Sequence, residues 1–510
     1  MTVVALSRSL SSNRVPAVIT PSSLASLSGD IARPSYDRAT VTAGIAHLSV
    51  GNFHRAHQAV YTDRVLAQGG HEAWGIVGIG LIDSEGERAK AAALQQQDGL
   101  YSLTEYPPEG APRTLVVGAI VDYLHAPSDM EAVLRRLCDP AIRIVTMTIT
   151  EGGYNIDEAG RFRLDDTAVV EDLKAAVPKT TFGVLTEALR RRRDAGTGPF
   201  SVFSCDNLRH NGHVARTAVL GFARAKDPQL ADWIERSVTF PSSMVDRITP
   251  AVAPADAARL NAQTGLDDLS PVFSEDFIQW VVEDDFCAGR PAWETVGVQF
   301  TDDVNAFEQV KLRMLNASHL ALAFPGTLMG YRLVHIAMSD PDIRRFLEQF
   351  MARDAAPLLK APAGMETGPY AEMLIRRFSN PAIGDQMLRL CSNGAAKMPV
   401  YLQDNTVGTL KRGSEHRRVA FVLAAYAEYI PGRDDKGDTY PLDEPHLSEA
   451  DKLLAADPDL KAALDMSMFA GWELASYGAF AEDFARCRES IRRLGTAATL
   501  RALLQDVGPG

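Results

Sequence analysis

The sequence predicts an α/β, Rossmann-like N-terminal domain followed by a mainly α-helical C-terminal domain, and three observations carry that expectation. The chain has 510 residues, which at roughly 100 to 200 residues per domain implies more than one core. Up to about residue 205, short β-branched runs alternate with amphipathic stretches, the pattern of βαβ units around a parallel sheet. After about residue 300 strand candidates give way to long segments whose apolar residues recur every ~3.6 positions. Fractions of 46% hydrophobic and 23% charged residues are those of a globular chain. Disorder and fibrous structure are therefore excluded for the bulk.

Residues 1–40, rich in Ser, Pro and Ala, read as an N-terminal leader packed on the surface or frayed. Residues 41–300 read as the Rossmann-like α/β domain, with strands expected over 45–50, 74–81, 114–121, 142–149 and 200–204. Helices are expected between them over 55–67, 87–97 and 181–192. Residues 301–510 read as a mainly helical domain, with helices over 306–323, 340–351 and 417–429. The Pro- and Gly-rich pieces 361–370 and 431–445 read as surface loops within it.

Lys plus Arg total 52 against 65 for Asp plus Glu, a formal charge of -13, which works against nucleic acid or an anionic membrane as the main partner. Small molecules are the expected ligands. The five cysteines are dispersed and nowhere spaced as C-x-x-C, so neither a disulfide framework nor a structural zinc site is expected. The longest apolar run, 419–427, is far short of the ~20 residues of a spanning helix. With no secretory signal pattern at the N-terminus either, the chain reads as cytoplasmic.

Candidate chemistry collects at the carboxyl ends of the expected strands, where an open parallel sheet has its ligand crevice. The first strand runs into Gly51-Asn52-Phe53-His54-Arg55 and a helix pattern, the place of a dinucleotide pyrophosphate. Of the usual G-x-G-x-x-G only Gly51 is glycine, and a plain strand-to-helix turn is the structural alternative. Asp83 and Glu85 follow the second strand, where an acid can accept from a ribose diol; an exposed loop carboxylate is the other reading. The fourth strand leads into Thr150-Glu151-Gly152-Gly153-Tyr154. The fifth leads into Cys205-Asp206-Asn207 and then Arg209, His210 and His213. Capping of the next helix by Asp206 or Asn207 would explain part of that crowding. The two histidines lack a third ligand, so no metal is expected.

Residues 307–320, FEQVKLRMLNASHL, are the most informative segment. At about 100° per residue, Glu308, Lys311, Asn316 and His319 project within an arc of about 140° on one helix face. Leu312 and Leu315 share the arc, and an apolar setting lowers a lysine pKa. The wet side of an ordinary amphipathic helix would look similar.

Residues 47–63, HLSVGNFHRAHQAVYTD, resemble the N-terminal signature of the polyol-specific long-chain dehydrogenases, the mannitol dehydrogenase family. Lys311, Asn316 and His319 are similar to that family's K-x(4)-N-x-x-H signature. Residues 148–154, 204–207, 244–250 and 297–304 resemble further family motifs, so the likeness spans nearly the whole chain past residue 40. The resemblance implies NAD(P)-dependent, metal-independent oxidation of a secondary alcohol, with 41–300 the dinucleotide-binding domain and 301–510 the substrate and catalytic domain. By position it makes Lys311 the general base, Asn207 and Asn316 the amide donors to the reacting oxygen, and Glu308 the gate for proton exit through water. His319, Asp246, Arg389 and Lys397 correspond to contacts with the sugar chain. Gly51, Asn52, Phe53, His54, Arg55, Asp83, Glu85 and Glu151 fall where the cofactor lies. This chain departs from the family's common G-x-G-x-F turn, since Ser49 and Asn52 bring side chains toward the phosphates.

A lysine starts near ~10.4 and must fall to roughly 7 to 8 to act as a base. A nearby Glu308 would oppose that shift. The resemblance implies NAD rather than NADP and a sugar alcohol/ketose pair of the mannitol/fructose type, with arabinitol in range. A hexuronate reductase of the mannonate/fructuronate type, and a non-catalytic nucleotide- or sugar-binding homologue, are the alternatives. Long loops and two domains suit a monomer.

Overall fold

In the computed structural model, residues 17–157 and 159–506 are described. Contacts divide the chain into two units, one ending at Asp302 and including Ala111–Asp302, the other made of Pro107–Gly110 and the chain from Asp303 onward.

The first unit is built on five parallel strands: β1 (Ala43–Leu48), β2 (Gly75–Gly80), β3 (Ile120–His125), β4 (Ile144–Met147) and β5 (Ser201–Ser204). Their spatial order is β3-β2-β1-β4-β5, the doubly wound arrangement with its first strand central. Every residue of β1, β2, β4 and β5 is buried, which is why these strands read as continuous apolar runs rather than alternating ones. The register sets Ile45 beside Ile76 on one side and Ile144 on the other. β2 reads Gly-Ile-Val-Gly-Ile-Gly because space is short: a Cβ on Gly78 would stand 2.8 Å from the Tyr123 ring and 2.9 Å from Val50. Helices Gln58–Leu66, Glu85–Gln96, Met130–Cys138 and Thr181–Ala195 intervene between the strands.

One expected strand, 114–121, is two strands. Arg113–Val117 pairs antiparallel with Tyr101–Tyr106, which in turn pairs with Val272–Glu275, outside the main sheet. Only Ile120–His125 joins that sheet. The short turn after Tyr106 makes the hairpin a local contact, and the Gly118-Ala119 break lets the chain change sheets. Ala17–Val18 pairs with Leu266–Asp267, and Ile19 and Ile31 are buried against Leu100, Val116 and Leu266. Residues 1–16, part of the expected leader, lie outside the described residues.

The second unit is helical. Arg417–Tyr429, with the bounds expected for it, is buried along nearly its whole length and packs against Ala317–Leu328 and Gly478–Leu494. The expected loop 361–370 is shorter than read, because a helix Thr367–Phe378 begins inside it with Tyr370 buried. Pro369 is compatible, since it lies in the first turn where backbone N–H groups have no intrahelical partner. The helix Pro341–Gln349 continues into a π turn, Phe350–Ala355, whose buried Asp354 pairs with buried Arg418 at 2.5 Å.

Candidate active site

In the first unit, the candidate residues stand at the carboxyl ends of the strands. β1 leaves the sheet through Ser49, whose φ of 67° is left-handed. Its N–H donates to the Ile79 carbonyl at 2.8 Å, and its carbonyl accepts from Thr148 Oγ1 at 3.0 Å. The turn is thereby tied to both neighbouring strands. The short helix Asn52–Ala56 follows with Gly51 at its start, and the space over Gly51 is open, since a Cβ there meets nothing within 4 Å. That opening fits a dinucleotide phosphate approaching the backbone.

Not every residue of that segment faces the opening. His54 is fully buried and stacks on His47 with ring centroids 3.4 Å apart. His47 bridges Thr146 Oγ1 at 2.7 Å and Thr148 Oγ1 at 3.1 Å, whereas neither ring nitrogen of His54 has a partner among the described residues. Burial pushes His47 down to about 3 and His54 well below its usual value. Arg55 is buried too: its guanidinium donates to Ser270 O at 2.6 Å and to Asn52 Oδ1 at 2.7 Å, while Asn52 Nδ2 donates to Pro250 O at 3.3 Å. Arg55 and Asn52 thus knit the turn to residues 250–270. Phe53 is half-buried and stacks on His57, centroids 4.9 Å apart. Beyond β2, Asp83 and Glu85 are exposed, Asp83 pairing with Arg88.

Asp206 is the organiser of the β4 and β5 ends. Its buried carboxylate accepts from Ile149 N and Thr150 N, both at 2.9 Å, and from Tyr154 Oη at 2.7 Å. Desolvation raises its pKa, against those donors. The three bonds hold Thr150 at a left-handed φ of 61° and set the turn Glu151–Tyr154. Glu151 and Asn207 are left exposed beside it. The capping alternative does not hold: the next helix, Asn211–Lys226, has His210 at its N-cap and no side-chain cap. Asp206 faces back across the sheet instead. Asp246 closes the strand Ser243–Asp246 and is buried. Among the described residues no group of three or more metal-ligating side chains assembles.

In the second unit, the α-helical spacing expected for 307–320 does not hold. Helix Val304–Val310 passes into a π turn, Lys311–Asn316, before α-helix resumes at Ala317–Leu328. The Ala317 N–H reaches the Leu312 carbonyl, five residues back. A π turn brings residues five apart toward one face, so Lys311 and Asn316 stand closer to alignment than a 3.6-residue period allows. The turn has a side-chain partner. Arg313 O, the acceptor an α-helix would give Ala317, takes Asn405 Nδ2 at 2.9 Å, and Asn405 Oδ1 accepts from Arg313 Nε at 2.8 Å. Glu308, Lys311 and Asn316 are all buried, and Asn316 Nδ2 has no acceptor among the described residues. His319 is half-buried, its ring 4.8 Å from that of Phe378. Arg389 is exposed and holds Asp385 through two 2.6 Å bonds, while Lys397 Nζ donates to Leu390 O at 3.2 Å. Asn405 escaped the sequence reading, and Asp206 was named there as a cap and as part of the 204–207 motif but not as the clamp between strand ends. Its place at a strand end and in that motif were the signals for Asp206, and Asn405 had none.

Comparison with known proteins is consistent across both units. The Mannitol dehydrogenase Rossmann domain family model matches residues 43–295 and the Mannitol dehydrogenase C-terminal domain model matches 303–492. A Polyol:NADP oxidoreductase of Gluconobacter oxydans is 48% identical over 95% of this chain and 100% of its own length. A solved D-sorbitol dehydrogenase in substrate-free form superposes with a TM-score of 0.90 at 47% identity, covering 95% of this chain and 100% of that one. The ternary complex of Pseudomonas fluorescens mannitol 2-dehydrogenase with NAD and D-mannitol gives a TM-score of 0.85 at 41% identity, covering 96% and 99%.

Proposed function

The chain belongs to the mannitol dehydrogenase family, and from that membership we propose that it interconverts a sugar alcohol and its ketose with a nicotinamide dinucleotide, Lys311 serving as general base. The observation that carries the reading is the pair Lys311 and Asn316, both buried on one π turn, with an amide donor at Asn316 that lacks an acceptor among the described residues. Buried donors are costly to leave unmade, and a developing alkoxide is the acceptor the chemistry supplies.

A bound dinucleotide would supply the acceptor for the hydride of the carbinol carbon. The residues that would hold it are the Ser49–Gly51 turn, Asp83 or Glu85 beyond the end of β2, and the loop at Glu151. The chain's own groups handle the proton and the charge. Lys311 Nζ takes the hydroxyl proton, Asn316 and Asn207 donate to the oxygen as negative charge grows, and Glu308 passes the proton outward through water. Amides suit that task because they donate at fixed geometry without titrating. His319, Asp246, Arg389 and Lys397 contact the remaining hydroxyls.

NAD is the proposed cofactor: an acid beyond β2, Asp83 in this reading and Glu85 or Glu87 as its alternatives, would accept from the ribose diol and repel a 2′-phosphate. Arg88 beside Asp83, and the relative whose name carries NADP, support measurable use of NADP as well. Mannitol-type polyols are the proposed substrates, supported by the relative solved with D-mannitol. Turnover of NAD and NADP with mannitol, sorbitol, arabinitol and mannonate tests this reading. Preference for mannonate would move the chain to hexuronate chemistry, and no hydride transfer with any of the four would sink the enzyme reading.

A further inference from the structure

The loop that follows Arg417–Tyr429 carries two adjacent carboxylates, Asp443 and Glu444, and both close on one short stretch of the second unit. Asn393 N donates to the Asp443 carbonyl at 2.8 Å, and Ser392 Oγ donates to its carboxylate at 2.5 Å. Glu444 is buried, and its Oε2 accepts from Ala395 N at 3.0 Å. Residues 392–395 are the entry to the helix Gly394–Tyr401, which carries Lys397. That helix makes no side-chain cap of its own, since Asn393 precedes it with a left-handed φ of 57°. The carboxylate of Glu444, arriving from another part of the chain, serves the first N–H groups instead and complements the positive end of the helix dipole.

Gly394 makes this possible. A Cβ there would stand 2.5 Å from Glu444 Oε1 and 3.0 Å from the rings of Phe324 and Tyr426. Lys397, three residues on, donates back across the same turn to Leu390 O at 3.2 Å. The amine's place thus depends on the turn that the two carboxylates fasten.

We propose that Glu444 is a positioning residue for Lys397, fastening the start of its helix so that the amine is presented to the hydroxyl chain of the substrate. Only that last clause rests on the function proposed above. The titratable groups that face Glu444 are Lys397 on the capped helix, Cys391 on the helix before it, and Tyr426 and Tyr429 on Arg417–Tyr429. Burial pushes the Glu444 carboxyl up to about 7, with the backbone donors at Ala395 and Gly394 and the charge of Lys397 pulling it down. Above that pH the ionised carboxylate accepts fully from the helix start and attracts Lys397; below it, protonation loosens the hold. The hold therefore tightens as pH rises through neutrality.

The test compares wild type with Glu444→Gln, reading KM and kcat on mannitol from about pH 6 to pH 8, and reading acylation of Lys397 by an amine-reactive ester through peptide mass spectrometry. In wild type, KM falls as pH rises through neutrality. In Glu444→Gln it is several-fold higher and loses that step, kcat moves little, and Lys397 is acylated several-fold faster. An unchanged KM at neutral pH together with unchanged acylation overturns the proposal, and so does a KM step that survives in the variant. Should Glu444→Gln fail to fold, Gly394→Ala displaces the same carboxylate and carries the same expectations. A wild type that turns over no polyol sinks the functional reading alone, because the acylation rates still decide whether Glu444 positions Lys397.

Discussion

Asn405 and Arg313 are joined by a reciprocal pair of hydrogen bonds, Nδ2 to the main-chain carbonyl at 2.9 Å and Nε to Oδ1 at 2.8 Å. The pair sits at the middle of the π turn, on a residue between Lys311 and Asn316. Asn405 is completely buried, so its amide is a fixed brace. Deleting such a buried donor and acceptor costs about 1 to 3 kcal/mol. Asn405→Ala should lower kcat by roughly tenfold or more, since small misplacements of reacting groups are costly, while the cofactor KM stays near wild type. A variant destabilised but catalytically intact would remove the brace from any part in aligning the site.

Lys311→Ala should abolish polyol oxidation at neutral pH, with partial return on adding primary amines of graded basicity. The assay is NADH formation with and without amine. An unimpaired rate in the variant would take the amine out of the role of base.

Asn316→Ala should depress kcat by about 10²- to 10³-fold, the range for removing one donor to a developing oxyanion, with a smaller change in KM. A variant in which only KM rises would show that Asn316 binds substrate without stabilising the charge that develops.

The stacked pair His47 and His54 predicts acid sensitivity. Both are held neutral by burial, His47 down to about 3. Below the unfolded value of about 6.5 the unfolded chain binds protons that the native state refuses. Stability is therefore full above about pH 6.5 and falls as pH drops toward 3, by about 1.4 kcal/mol per pH unit for each such group. His54→Leu removes two ring nitrogens that lack partners among the described residues, so it should leave stability near neutrality unchanged or raised and flatten the acid limb. Denaturant unfolding at pH 7 and pH 5 measures both. Its cofactor KM should hold, since the ring is turned inward; a large rise would restore His54 to the cofactor site.

Asp83→Ala should weaken NAD by about tenfold, the worth of a hydrogen bond to a charged group, and improve NADP by leaving Arg88 free for a 2′-phosphate. The ratio of kcat/KM for the two cofactors is the measurement. An unchanged ratio would place the ribose elsewhere, with Glu85 the next candidate.

Much of this was legible from local pattern. The five strands of the main sheet lie where β-branched runs placed them, apart from the split of 114–121, and the helix Arg417–Tyr429 lies on its predicted bounds. Lys311, Asn316 and His319 were nominated because a motif is a spacing, and spacing survives whatever the backbone does between its members. Their arrangement was not found. Periodicity presumes α-helix, and nothing in KLRMLN announces a turn one residue wider.

What the sequence determined by itself is the order of elements, the family and the candidates for the reactive groups, because apolar period, glycine placement and motif spacing are properties of neighbours along the chain. What only the tertiary structure decided is how those groups are held. Asn405 reaches Arg313 across 92 positions, Asp206 reaches Ile149 across 57 and Glu444 reaches Ala395 across 49. Each is a hydrogen bond between a buried side chain and a backbone group, and a backbone group carries no residue type for the sequence to display.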